Sequence, residues 1–260
     1  MSQHPLISDT DDYLIYIRSN SPLKGNLLDG QSGKLDEEFK CYSKFGNNRL
    51  PIPRDESLRW IAIGLEFTAI LTSKNRVYLF GDYFLDGHSK FNDLRGYLIP
   101  VVSKSTEGVV VDDHFKTQVL GMQCGEQFIC VRDRTDEIWY SGAEQFGSTD
   151  AYNYDEKLYQ FHNLGLQEFL RGQGLRDTKI THFKTGGRHI ILCLNGKIIV
   201  GCGANYSGQV GLPSIQQRSL FEFNICRWNA SKEYTVLDLA CNGSHSTILT
   251  SKLSFESCTK

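Results

Sequence analysis

Short apolar runs, each closed by a glycine or a short polar turn, recur along this chain at a near-constant interval. Four segments align: WIAIGLEFTAILTSKNRVYLFGDYF (60–84), VLGMQCGEQFICVRDRTDEIWYSGAEQFG (119–147), ITHFKTGGRHIILCLNGKIIVGCGANYSGQVG (180–211) and VLDLACNGSHSTILTSKL (236–253). Each reads as apolar strand, glycine turn, apolar strand and polar turn, and the first three add a third strand ending in glycine. The closing glycines Gly81, Gly142 and Gly203 are spaced by 61 residues, and the first-turn glycines Gly64, Gly125, Gly187 and Gly243 by 61, 62 and 56. A fixed period of this size marks a repeat architecture.

Runs such as TAILTS (68–73) and HIILCLNG (189–196) are almost continuously apolar. This pattern suits strands buried on both faces. The stretches PIP (51–53), LIPVV (98–102), YQFHNL (159–164) and FEFNI (221–225) add one extended segment before each core pair. Pro51, Pro53 and Pro100 donate no ladder hydrogen bond and therefore suit strand starts or edges. Four strands in about 60 residues, repeated in tandem, predict the blades of a β-propeller. The only helix-like stretch is LGLQEFLRG (164–172), in an inter-blade connection. The fold class expected is therefore all-β, a propeller with about four to five blades present. Residues 1–260 form a single repeat domain, with recognisable repeats over about 40–253 and a degenerate repeat or N-terminal extension over 1–39. Phe45-Gly46 matches Phe80-Gly81 as the end of a preceding unit.

Composition narrows the function. Net charge is −2, from 28 basic and 30 acidic residues, which disfavours a globally nucleic-acid-seeking or polybasic membrane-surface protein. Charged residues at 22% and apolar residues at 40% exclude a disordered chain. No run reaches the roughly 18 apolar residues of a membrane span, and MSQHPLISDTDD has no secretory-signal pattern. None of the eight cysteines forms a C-x-x-C pair, so they read as reduced core residues of an intracellular protein. RGQGLRD and GCGANYSG do not complete a dinucleotide fingerprint. His182, His189 and Cys193 are the nearest approach to a metal set, and structural histidines are the better reading; no metal or cofactor is expected. A basic stretch with Arg171, Arg176, Lys179, Lys184 and Arg188 reads as a solvated face.

The pattern of apolar strand, glycine turn with a histidine, apolar strand and glycine-closed strand resembles the regulator of chromosome condensation repeat. GGRHIILCLNGKIIVGCGANYSGQVGL (186–212) fits best and CNGSHSTILT (241–250) keeps the turn. The first unit has Phe67 where histidine is expected, and the second has Gln127 near that position. The resemblance implies a seven-bladed propeller, and 260 residues supply four units plus fragments; the readings are a truncated piece of a longer product, a small propeller whose N-terminal strand completes the last blade, or an arc closed by another chain, and a partial propeller is the one expected. It also implies a partner surface. In the founding member, loop histidines and aspartates on one propeller face contact a Ran-type small GTPase and displace its nucleotide. The matching candidates here are His189 and His245, with Asp112, Asp113, Tyr152, Tyr154 and Asp155 on the longest inserts (85–97, 103–116 and 148–158). Against these stand a loop-bracing role for the histidines and solvated loops for the inserts. Gly46, Gly64, Gly81, Gly125, Gly142, Gly187, Gly203 and Gly243 are the structural glycines of the repeat. The expected function is a non-enzymatic protein-interaction module, cytoplasmic or nuclear. The alternative is a guanine-nucleotide exchange factor for a Ran-type or other small GTPase. A protein partner is expected rather than nucleic acid, chromatin or a membrane.

Overall fold

The computed structural model describes residues 15–17, 40–42, 53, 55–64, 67–81, 97–105, 108–142, 160–213, 219–226 and 234–252. Three blades follow one another. The first contains β3 (Leu58–Ile63), β4 (Phe67–Thr72), β5 (Val77–Gly81) and β6 (Tyr97–Leu98), hydrogen-bonded in that order. The second contains β9 (Val119–Cys124), β10 (Phe128–Asp133), β11 (Ile138–Gly142) and β12 (Phe161–Asn163). The third contains β13 (Ile180–Thr185), β14 (His189–Leu194), β15 (Ile198–Ala204) and β16 (Ser219–Ile225). A half blade, β17 (Tyr234–Asn242) with β18 (His245–Lys252), follows the third. A separate pair, β1 (Ile15–Ile17) with β2 (Lys40–Tyr42), lies nearest the N-terminus. The first strands β3, β9, β13 and β17 touch in succession, as the innermost strands of adjacent blades do.

The apolar runs bury both faces because alternate residues belong to different cores. In β10, Ile129 and Val131 pack toward the first blade, and Phe128 and Cys130 toward the third. In β14, Ile190, Leu192 and Leu194 pack toward the second blade, and Ile191 and Cys193 toward the half blade. The hairpin turns place residues at left-handed angles: Asn75 at φ 58°, Asp136 at 60°, and Asn195 with Gly196 at 50° and 68°. Asn, Asp and Gly tolerate that region, which explains the polar turn residues. In the second blade the buried Asp133 carboxylate accepts bonds from Thr135 N (2.8 Å), Glu137 N (3.1 Å) and Trp139 Nε1 (2.9 Å), fixing the turn to the next strand.

Several expectations shift. The three later extended stretches each close the blade before them, because β6, β12 and β16 pair with β5, β11 and β15, while Pro51 and Ile52 lie outside the described residues. LIPVV is split: Leu98 ends the first blade, while Val101 begins a hairpin of β7 (Val101–Ser105) and β8 (Gly108–Asp112). β7 pairs in parallel with β12, so this hairpin extends the second blade outward to six strands. The 103–116 insert is therefore no loose loop. It contributes Phe115, buried against the rings of Trp139 and Phe161. The predicted helix is present as α1 (Leu166–Gly172), anchored by buried Leu166 and Leu170.

The repeat register also moves by one residue. Gly64, Gly125 and Gly186 each donate a backbone bond to the residue three positions on, Phe67, Phe128 and His189. The ring of that third residue lies against the glycine, where a Cβ would collide with it; on Gly186 it would sit 2.5 Å from His189 Nδ1. The turn glycine of the third unit is thus Gly186, not Gly187, and the residue matching the repeat histidine in the second unit is Phe128, not Gln127. Asn242 takes the glycine position of the half blade, pairing with His245. Across the sheet, Phe67, Phe128 and His189 face Gly81, Gly142 and Gly203. A Cβ on Gly142 would lie 2.5 Å from Phe128 Cβ and 2.7 Å from Gln127 O, so the close approach of the facing strand, not the ring, dictates the closing glycine. Gly46 lies outside the described residues.

Candidate functional site

The turn glycines lie at one end of the blades and the hairpin turns at the other, so each blade has two rims. At the first rim the backbone links blade to blade. Glu126 N donates to Gly187 O (2.8 Å), and Gly187 N donates to Gly243 O (2.8 Å). Gly187 and Gly243 thus hold neighbouring loops together. Thr185 Oγ1 adds a bond to Cys124 O (2.8 Å), and Arg188 reaches Glu126 across the same seam (3.5 Å).

His189 is fully buried on this seam. Its Nε2 shares a 2.8 Å hydrogen bond with the Ser246 hydroxyl of the half blade, and its Nδ1 has no partner among the described residues. Burial lowers its pKa to about 4, so the ring is neutral at neutral pH. His189 therefore cannot offer its ring to a partner as placed; its contacts are those of a brace between repeats. His182 does the same lower down, bonding Leu237 O at 2.9 Å. His245, by contrast, is exposed at the rim.

Asp112 and Asp113 lie at the other rim. Asp113 pairs with Arg76 and with His114 Nδ1 (2.6 Å), and Asp112 pairs with Lys116 (3.0 Å). The hydrogen-bonded His114 ring, then Arg76, holds the Asp113 carboxyl below its ordinary pKa. Arg76 also bonds the buried Glu56 (2.6 Å), which accepts from Thr72 Oγ1 (2.5 Å). A six-residue strand spans about 17 Å, so His245 and the aspartates do not share a face. Tyr152, Tyr154 and Asp155 lie outside the described residues.

The structure offers a site that the sequence reading missed. Between the third blade and the half blade opens a cleft of about 240 Å³. Ile191, Ile199, Val210 and Ile248 form its apolar floor, and Ser207, Gln209, Ser244 and His245 its polar rim. Gln209 Oε1 accepts from Ser207 N (2.8 Å), and Asn205 Oδ1 accepts from Val210 N (3.0 Å), so the 205–211 wall is built by its own side chains. The string ANYSGQVG carried that signal in the sequence; the facing Ser246 and Ile248 did not. Cys226 borders the cleft, and burial pushes its thiol up to about 12, which suppresses thiolate chemistry. The described residues contain no cluster of three or more His, Cys, Asp or Glu able to hold a metal. No described helix is long and apolar enough to cross a membrane.

No family profile and no curated protein matches the chain. Solved structures do. Yeast RCC1 (Prp20) bound to Kap60 superposes with a TM-score of 0.54 at 15% identity, over 77% of this chain and 42% of that one. Prp20p of Saccharomyces cerevisiae, studied for its binding to Gsp1p and histones, gives 0.51 at 16% identity, over 75% and 42%. Human WBSCR16 gives 0.43 at 15% identity, over 78% and 60%. The fold is an RCC1-like β-propeller in part, and the match spans less than half the length of the yeast chains.

Proposed function

We propose that this chain is a non-enzymatic protein-interaction module that takes its ligand at the cleft between the third blade and the half blade. The cleft carries this reading: it combines an apolar floor with a polar rim on rigid repeats, the usual form of a recognition site. Six described cysteines are free thiols, which suits a cytoplasmic or nuclear setting. The test is affinity capture with the native chain and an Ile248→Arg chain, each with and without EDTA. Proteins retained by the native chain and lost on the variant support the module at this site. Equal retention by both chains would move the site elsewhere.

A second reading is guanine-nucleotide exchange on a Ran-type or other small GTPase, favoured by the likeness to yeast RCC1. It predicts a GTPase enriched only when EDTA strips its Mg²⁺, and faster release of labelled GDP. The separation of His245 from Asp112 and Asp113 weighs against it, because the resemblance expected those groups on one face.

A further inference from the structure

The fold divides the basic stretch that the sequence presents as one run. Arg188 goes to the turn-glycine rim, where it pairs with Glu126, and Lys184 lies half-buried on β13. Arg176 and Lys179 go to the opposite rim, and the hairpin turn of the third blade adds Lys197 beside them. One backbone bond fixes this neighbourhood in all three blades: Ser73 N donates to Ser57 O (2.8 Å), Arg134 N to Gln118 O (2.8 Å) and Asn195 N to Lys179 O (2.9 Å). In the third blade Lys179 N also donates to Asn195 Oδ1 (2.8 Å), and a bond from Thr178 N to Leu175 O (3.2 Å) closes the turn that contains Arg176.

The blades differ in charge at matching positions of this rim. In the first, Glu56 and Asp113 hold Arg76, and Asp55 holds Lys74. In the second, Asp133 accepts bonds from its turn, Asp136 holds Arg132 (2.6 Å) and Asp112 holds Lys116 (3.0 Å). Counted in steps of 61 residues, the third blade has Thr178 for Glu56, Leu194 for Asp133 and Lys197 for Asp136. Lys179 stands where the first two blades have Ser57 and Gln118. Arg176, Lys179 and Lys197 are exposed and make no ion pair among the described residues. Asp177 is the only carboxylate in 173–179 and 194–197.

We infer that Arg176, Lys179 and Lys197 form an anion-recognition surface on the third blade, and that its ligand is a short acidic segment of a protein partner. A cation already held by its own carboxylate must give up that pair to bind an external anion; an unpaired one keeps its field for the partner. The neighbouring sector sets the length of the ligand. It carries Asp55, Asp112 and Asp113, which repel a polyanion continuing along the rim. Three cations also neutralise too few phosphates to hold a nucleic acid at ordinary salt. The surface is separate from the cleft, whose polar margin lies at the other rim.

The test titrates a labelled short polyglutamate peptide against the full chain, with anisotropy as readout at about 50 mM salt, where exposed charges are little screened. Saturable one-to-one binding is expected. Arg176→Gln, Lys179→Gln and Lys197→Gln together should weaken it at least about tenfold, since each exposed pair contributes a few-fold. Lys74→Gln, Lys116→Gln and Arg134→Gln together remove the same charge from the neighbouring sector and should change it less than about twofold. The first three positions changed to Glu should abolish polyglutamate binding and create binding of a labelled polylysine peptide, a reversal that a misfolded chain cannot produce. Ile248→Ala should leave peptide binding unchanged, and a loss there would move the site to the cleft and overturn the rim. Equal losses from the two triple Gln variants would overturn it in favour of net charge alone. An oligothymidylate of matched charge that binds more tightly than the peptide would overturn the acidic segment in favour of nucleic acid. Absence of saturable binding would overturn the surface while leaving the cleft reading intact.

Discussion

The second-to-third and third-to-fourth blade interfaces are built from equivalent positions, yet they differ in completeness. At the first, Phe128 rests on Gly125 and joins Cys130, Ile138, Leu192, Val200 and Phe223 in a closed core, with α1 adding Leu166 and Leu170. At the second, His189 replaces Phe128, Ser246 replaces Ile190, and the core shrinks to Ile191, Cys193, Ile199, Val210, Cys226, Val236 and Leu239. A polar latch, the bond between His189 and Ser246, takes the place of an apolar contact at this seam. The comparison teaches that one repeat position serves as an apolar joint or as a polar latch, according to whether Phe128 or His189 faces the closing glycine.

The sharpest way to break that contrast is to truncate equivalent core residues. Leu192→Ala should lower unfolding free energy by about 2–5 kcal/mol, as deletion of a fully buried leucine does. Ile248→Ala, at the matching but half-open position, should cost less than about 1 kcal/mol. Urea denaturation of both variants checks this, and equal losses would mean that the two interfaces are equally closed.

Acid should act through His189. Its folded pKa of about 4 lies below the ordinary histidine value of 6.5. The neutral ring therefore favours the folded state fully above pH 6.5, and this contribution is lost as pH falls from 6.5 through 4. The ceiling is about 3 kcal/mol, at 1.36 kcal/mol per pH unit. His189→Phe, which restores the residue type of Phe67 and Phe128, should flatten stability between pH 4 and 6.5. An unchanged acid profile in that variant would remove His189 as the cause.

Gly125→Ala should cost about 1–3 kcal/mol, since its Cβ collides with the Phe128 ring. Gly172→Ala, where the added Cβ meets nothing within 4 Å, serves as the control in the same melting experiment. The smallest effect belongs to the opposite rim. Asp113→Asn weakens a half-exposed pair with Arg76 and should cost under about 1 kcal/mol. It should leave cleft binding unchanged in titration, because Asp113 lies a strand length away. A loss of binding would contradict the two-rim geometry.

Periodicity alone determined the repeat, the all-β class, the short helix and the three glycine-closed strands. Each of these follows from local chemistry: alternating side chains, left-handed turns and a glycine under a ring. Register was only nearly legible. GGRH offers two adjacent glycines, and the contact between Gly186 and the His189 ring is what distinguishes them. The tertiary structure alone decided which blade each extended stretch closes, because a strand's partner is chosen by packing across the sheet. It also decided that His189 faces inward while His245 faces out, although the two histidines hold equivalent positions in the repeat. The cleft was beyond reach of sequence for the same reason. It lies between the third blade and the half blade, and a local pattern of residues does not record which side chains a neighbouring blade sets opposite.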